Sequence, residues 1–438
     1  MNGSISEIRT RAETGLLFRG TMRARISARA LIKVGIFVTV YTGFGGTLYF
    51  LNGRLQELGL LCVLCVFVYT AGISAINVRE RDFNWSAWFI VPILVVLYAM
   101  LAPAITFAVN NNIAPFKSII STRDFLAILF APALYFSYRC GLSIEELQKP
   151  ITLALGMIML SYIFHYYRID LPSAYRSPIA AVKLMITYDE WRGYRLKGPD
   201  IAQVFCSLCS MVLAYRTDKT GLRVFWILVA LATGWAWYLI QARAMFAGMI
   251  VGLVLYHLWF ARRNRMPLFY LGAPILVLIV SAAMFQFVTT MHEHDTARYK
   301  SIKQATEFLA QNPVFGMGKD NEKLPERLIM NPQFFSSDIG IIGVAFRLGI
   351  LGATLLMCVL IFTLARAVIT NWLVIKRTGR SDVIFYFFIS VALGDLINIF
   401  LSAVRYIKVP GILTLAIVIA FTAIYRHQLG TRQHLTYP

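Results

Sequence analysis

Long apolar runs separated by short polar breaks pattern almost the whole chain. They fall at about 31–51, 55–76, 87–109, 119–140, 151–167, 199–215, 222–241, 243–260, 268–290, 338–365, 383–404 and 408–425. A run of roughly 18 or more apolar residues reads as a transmembrane helix, because in lipid the backbone must satisfy its own hydrogen bonds. The pattern predicts an all-α integral membrane protein with about 12 transmembrane helices. It divides the chain into a basic segment 1–30, nine spans over 31–290, a large loop at 291–337, three spans over 338–425 and a tail at 426–438. The N-terminus is polar and Arg-rich, with no short apolar core followed by a cleavage site, so no removable signal peptide is expected.

Charge then orients the spans. A net charge of +20 would point to nucleic acid in a soluble protein, but here 58% of residues are hydrophobic and the cations sit mainly between apolar runs. The positive-inside rule puts them in the cytoplasm, so no nucleic-acid partner is expected. Arg9, Arg11, Arg19, Arg23, Arg25 and Arg29 hold the N-terminus there, and Arg426 and Arg432 the C-terminus. Every second break between them is basic, as at Arg79 and Arg81 or at Arg262, Arg263 and Arg265, while external breaks such as Asn110-Asn111-Asn112 are nearly bare. Two external breaks depart from this rule. One is 168–198, with Arg168, Arg176, Lys183, Arg192, Arg195 and Lys197; the other is the large loop, with Arg298, Lys300, Lys303, Lys319, Lys323 and Arg327. The charge bias weakens in loops of this length, so these are either tolerated solvated segments or a basic external surface that receives an anionic ligand.

The large loop, between spans 9 and 10, is the longest polar excursion. A helix is predicted over 297–311, with Tyr299, Ile302, Ala305, Thr306 and Leu309 along one stripe. Asn312-Pro313 and Gly316-Met317-Gly318 then break it. The loop re-enters the apolar pattern through Ser336-Ser337-Asp338.

Several residues have chemistry that lipid does not readily tolerate. Arg243 stands between two spans with almost no break to hold it; an intramembrane cation defaults to function, and snorkelling to the interface is the alternative. Arg347 lies deep in the tenth span, where its partner is either the buried acid Asp395 or a phosphate. Arg192, Arg195 and Lys197 cluster before Pro199, at the entry to the sixth span. The planar fork of arginine suits phosphate, and a helix N-terminus favours anions. Asp338 is either an N-cap or a carboxylate general base. His292-Glu293-His294-Asp295 is a weak metal signal, and no metal is expected. Cys62/Cys65 and Cys206/Cys209 have C-x-x-C spacing inside apolar runs, where small thiols pack on one helix face. The sequence has no Walker A loop, no D-x-D and no G-x-S-x-G, so a cytosolic nucleotide-using enzyme is not expected.

Three segments resemble the O-antigen ligase/polymerase family of polytopic bacterial glycosyltransferases: Tyr194-Arg195-Leu196-Lys197-Gly198-Pro199-Asp200, Leu239-Ile240-Gln241-Ala242-Arg243-Ala244, and Asn312-Pro313-Val314-Phe315-Gly316-Met317-Gly318 followed by Asp338 and Gly349-Ile350-Leu351-Gly352. The resemblance covers about residues 150–365. It implies an undecaprenyl-diphosphate-linked oligosaccharide as donor, arginines on the diphosphate, no metal or other cofactor, and a site facing the periplasm from the bacterial inner membrane. Asp338, Arg195 and Arg243 are the catalytic residues it implies, with Arg192, Lys197 and Arg347 joining the two arginines on the diphosphate. Ligases of the family carry a His-Asn pair where this chain has Asp338-Ile339, and the Ser-Ser-Asp-Ile-Gly pattern is similar to exopolysaccharide repeat-unit polymerases. Polymerisation is therefore expected ahead of transfer to lipid A core. A transporter or flippase of lipid-linked sugars is the rival from another class. A chain-length regulator and a separate flippase are expected partners of a polymerase.

Overall fold

The computed structural model describes residues 22–50, 57–77, 87–110, 114–177, 182, 185–189, 193–240, 243–260, 296–317, 339–397 and 407–433. Helices dominate them, and one two-stranded hairpin is the sheet among the described residues. Among the described residues six helices are long and apolar enough to cross a membrane: Glu57–Ser74, Phe89–Val109, Ile144–Arg168, Thr220–Ile240, Gly340–Thr378 and Val409–Leu429. The protein is a multi-pass membrane protein. The predicted ninth run, 268–290, lies outside the described residues, as do the His292–Asp295 cluster and residues 318–338.

The run 119–140 is not one helix. It divides into a helix Pro115–Ser121, a 3-10 stretch Arg123–Leu129 and a helix Phe130–Arg139. The division falls at Thr122-Arg123-Asp124. The Thr122 hydroxyl donates to the Ile119 carbonyl at 2.8 Å, and Phe125 N–H closes a tight turn on the Thr122 carbonyl at 3.1 Å. Such local bonds compete with the α-helical ladder.

The chain forms two compact units. The first comprises Met1–Phe89, Leu129–Gln241 and Ala416–Pro438; the second comprises Ile90–Ile128 and Ala242–Leu415. In the first, the helix Ile144–Arg168 is central. A capping box starts it: the Ser143 side chain takes the Glu146 N–H at 3.2 Å, and the Glu146 carboxylate takes the Ser143 N–H at 3.0 Å. Lys33 of the helix Met22–Gly43 pairs with that same carboxylate. Gly156 lets the helix Thr220–Ile240 approach, since a Cβ there would stand 3.0 Å from the Phe225 ring. The expected basic loop 168–198 contains ordered structure: a short helix Leu171–Tyr175 packs on a hairpin of Ile186–Asp189 and Gly193–Leu196, paired with Thr187 opposite Arg195. Tyr175, Tyr188 and Tyr194 stack around it, with the cross-strand pair Tyr188 and Tyr194 4.6 Å apart.

In the second unit the helices Arg243–Phe260 and Val383–Ile397 touch backbone to backbone. Gly248 and Gly252 on one face Ser390 and Gly394 on the other; a Cβ on Gly252 would stand 1.9 Å from the Ser390 carbonyl oxygen. Small residues four apart permit this approach in a membrane, where close packing and not water drives association. Tyr256, Ser381 and Asn371 close a ring of hydrogen bonds nearby: Tyr256 donates to Ser381 at 2.7 Å, Ser381 to Asn371 at 2.8 Å and Asn371 to Tyr256 at 3.1 Å. Each hydroxyl and the amide both gives and takes, so the ring is satisfied in an apolar setting.

Candidate functional site

The predicted loop helix is present as Thr296–Gln311. Its apolar stripe buries Ala305 against Met317, Ile339 and Phe346, with Ile302, Phe308 and Ile342 around them. The Phe308 and Phe346 rings meet edge to face at 5.1 Å. This stripe therefore docks on the start of the helix Gly340–Thr378, within the second unit.

That helix is broken. Gly349, at φ 74° and ψ 170°, sits in a region of backbone space essentially closed to other residues. In an unbroken helix the Ile350 N–H would donate to the Phe346 carbonyl, four residues back. Instead the Phe346 carbonyl accepts from the Met317 N–H at 2.8 Å, and the Ile350 N–H donates to the Pro313 carbonyl at 2.8 Å. The turn 312–317 thus replaces the missing rung and leaves neither backbone group unsatisfied, as irregular backbone in a membrane protein requires. Gly316, at φ 63°, makes this possible: a Cβ there would stand 2.4 Å from the Gly349 nitrogen. The two glycine motifs of the sequence are one interlocked structure.

Gly349→Ala would force an unfavourable φ, costing about 1–3 kcal/mol, and place a Cβ 1.9 Å from the Val314 carbonyl oxygen. Gly379, also at positive φ, has open space around it. Gly349→Ala is expected to expose 312–317 to limited proteolysis and abolish activity, while Gly379→Ala leaves the digestion pattern unchanged. Equal patterns for the two variants would show that the interlock does not hold the loop.

Arg347 stands two residues before the break and is half-buried. Asp395 is buried on the helix Val383–Ile397, which packs against the broken helix. Asp338 lies outside the described residues. The helix begins at Gly340, and the cap position is Ile339, whose side chain makes no cap hydrogen bond. Ile339 is buried in the loop-helix cluster, which packs the start of the helix against the loop helix. Arg243 is the first residue of its helix.

The other predicted cations belong to the first unit. Arg192 lies outside the described residues. Arg195 is half-buried on the hairpin, and its Nη1 donates to the Ile240 carbonyl at 2.8 Å. Ile240 ends the helix Thr220–Ile240, three residues before Arg243 in the chain. Lys197 is exposed, and its backbone is clamped: its N–H donates to the Met185 carbonyl at 2.8 Å, and its carbonyl accepts from the Tyr49 hydroxyl at 3.4 Å. The Tyr162 hydroxyl donates to the Leu196 carbonyl at 3.2 Å. Buried tyrosines beneath the strand therefore set where its cations stand, a role the sequence hid among apolar positions. Pro199 is the cap residue of the helix Asp200–Arg216 and not within its first turn. Cys206 and Cys209 of that helix are buried, as small packed thiols.

Among the described residues no cluster of His, Cys, Asp or Glu could hold a metal ion. No curated protein matches the chain. Residues 227–357, which include Arg243, the loop helix, the turn 312–317, Arg347 and the break at Gly349, match the family model for O-antigen ligase.

Proposed function

We propose that the protein is a periplasm-facing polymerase that joins undecaprenyl-diphosphate-linked oligosaccharide repeat units into a surface polysaccharide. The interlock carries this reading: the family-matched stretch spends a helix break and a docked loop helix on fixing the chain beside Asp338 and Arg347. In the proposed reaction the bond between the anomeric carbon and the diphosphate oxygen breaks, and an acceptor sugar hydroxyl bonds to that carbon. The hydroxyl proton passes to the Asp338 carboxylate, and undecaprenyl diphosphate leaves. Arg192, Arg195 and Lys197 in the first unit, and Arg243 and Arg347 in the second, are the cations proposed to bind the diphosphates of lipid-linked substrates, with charge stabilisation strongest as the bond breaks. No metal takes part. Asp338 in place of a His-Asn pair favours polymerisation over ligation. A flippase calls for paired broken helices in two related halves; among the described residues one helix is broken, and a loop clamps it.

Purified protein given lipid-linked repeat units, without nucleotide sugar, is expected to produce a ladder of lengthened chains and free undecaprenyl diphosphate. Product formed only when lipid A core is supplied would make it a ligase. Movement of the units across a proteoliposome bilayer without elongation would make it a flippase. Orientation has its own test. In a cysteine-free background, reporters within 291–337 are expected to react with an impermeant thiol reagent from the periplasm, and those within 261–266 to stay unlabelled. The reverse labelling would overturn the reading, because the donor is presented outside.

A further inference from the structure

Gln203 lies one turn into the helix Asp200–Arg216 and is fully buried. Neither its Oε1 nor its Nε2 has a hydrogen-bond partner among the described residues. A buried amide with both ends unsatisfied costs roughly 1–3 kcal/mol for each polar group. An apolar side chain of similar size would remove that cost, so packing alone gives no reason for glutamine here. Its surroundings give one. Gly198 lets the amide and Ile240 come close together: a Cβ on Gly198 would stand 3.1 Å from Gln203 Oε1 and 2.2 Å from Ile240 Cδ1. Ile240 is also the residue whose carbonyl holds the Arg195 guanidinium. The arginine and the unpaired amide thus meet at one residue, Arg195 at the Ile240 carbonyl and the amide near the tip of its side chain.

We propose that Gln203 is a specificity-determining contact that reads the first sugar of the lipid-linked donor, next to the diphosphate held at Arg195. The chemistry selects this partner. An amide presents a donor and an acceptor side by side, and a diphosphate at neutral pH offers acceptors alone. A sugar hydroxyl or acetamido group offers both, and the first sugar places one on the carbon beside its diphosphate linkage. Arginine takes the charge and glutamine takes the sugar. The inference rests on the lipid-linked glycan reading above.

The test compares two carriers on the full chain in nanodiscs: undecaprenyl diphosphate alone, and the same carrier bearing one N-acetylated sugar. Gln203→Met is expected to weaken binding of the sugar-bearing carrier by about tenfold, the worth of one or two hydrogen bonds, and to leave the bare carrier within about twofold. Its thermal midpoint without ligand is expected to equal or exceed that of the wild type. Gln203→Asn, which keeps the amide but shortens its reach, should show the same selective loss, and it serves if the methionine variant does not accumulate. Equal loss on both carriers, no loss on either, or a lowered midpoint in the methionine variant would make Gln203 a structural residue. Wild-type protein that binds neither carrier would instead remove the lipid-linked substrate itself.

Discussion

Replacing Asp338 by asparagine is expected to lower the rate of glycan transfer by about 100- to 10,000-fold, while membrane accumulation and thermal midpoint stay close to wild type. The two halves of that result have separate causes. Asparagine keeps the size and hydrogen-bonding oxygen of aspartate but cannot take a proton from an acceptor hydroxyl. Loss of a true N-cap would add about 0.5–2 kcal/mol of destabilisation. That cost does not arise, because asparagine caps a helix about as well as aspartate does. Ile339, the next residue in the chain, is held by apolar packing in the cluster of Ala305, Met317 and Phe346. Rates are to be read on purified protein elongating lipid-linked repeat units. Near-wild-type elongation by Asp338→Asn would move the base elsewhere in the loop, to Asp320 or Glu322.

Hydropathy made most helices legible because lipid imposes one rule on every spanning segment. It failed where side chains answer to local bonds. At Thr122 a tight turn, closed by the Phe125 N–H, divides an apolar run that hydropathy alone reads as one span. The hairpin 186–196 was hidden because its strands are four residues each, and what stabilises it comes from Tyr49 and Tyr162 on distant elements. The glycine motifs at Gly316 and Gly349 were visible as motifs. Their meeting was not, since it is made of backbone hydrogen bonds, which carry no residue code. Gly248, Gly252, Ser390 and Gly394 are four-residue small pairs in plain view, yet which pair faces which depends on helix rotation. Gln203 carried a signal in the sequence, a lone amide in an apolar run. Its meaning emerged with its burial and its missing partners.

Arg195→Ala and Arg243→Ala are each expected to abolish polymer, yet only the first to lower stability. Arg195 donates to the carbonyl of Ile240, the last residue of its helix, where carbonyls lack helical partners and a cation is favoured by about 0.3–1 kcal/mol. Alanine there gives up that stabilisation and lowers the thermal midpoint slightly. Arg243 opens the next helix, where a cation opposes the dipole by a similar amount, so alanine should leave the midpoint unchanged or raised. If stability were the purpose of these residues, activity would follow the midpoint and the two variants would differ. Binding of diphosphate predicts the same loss in both. Lysine separates charge from geometry: at Arg195 an ammonium still donates to the Ile240 carbonyl, but it lacks the planar fork that grips phosphate through two parallel bonds. Arg195→Lys is therefore expected to hold a near-wild-type midpoint and recover little polymer. Full polymer in Arg195→Lys would reduce the residue to a helix-end contact, and normal polymer in both alanine variants would remove diphosphate binding from the pair.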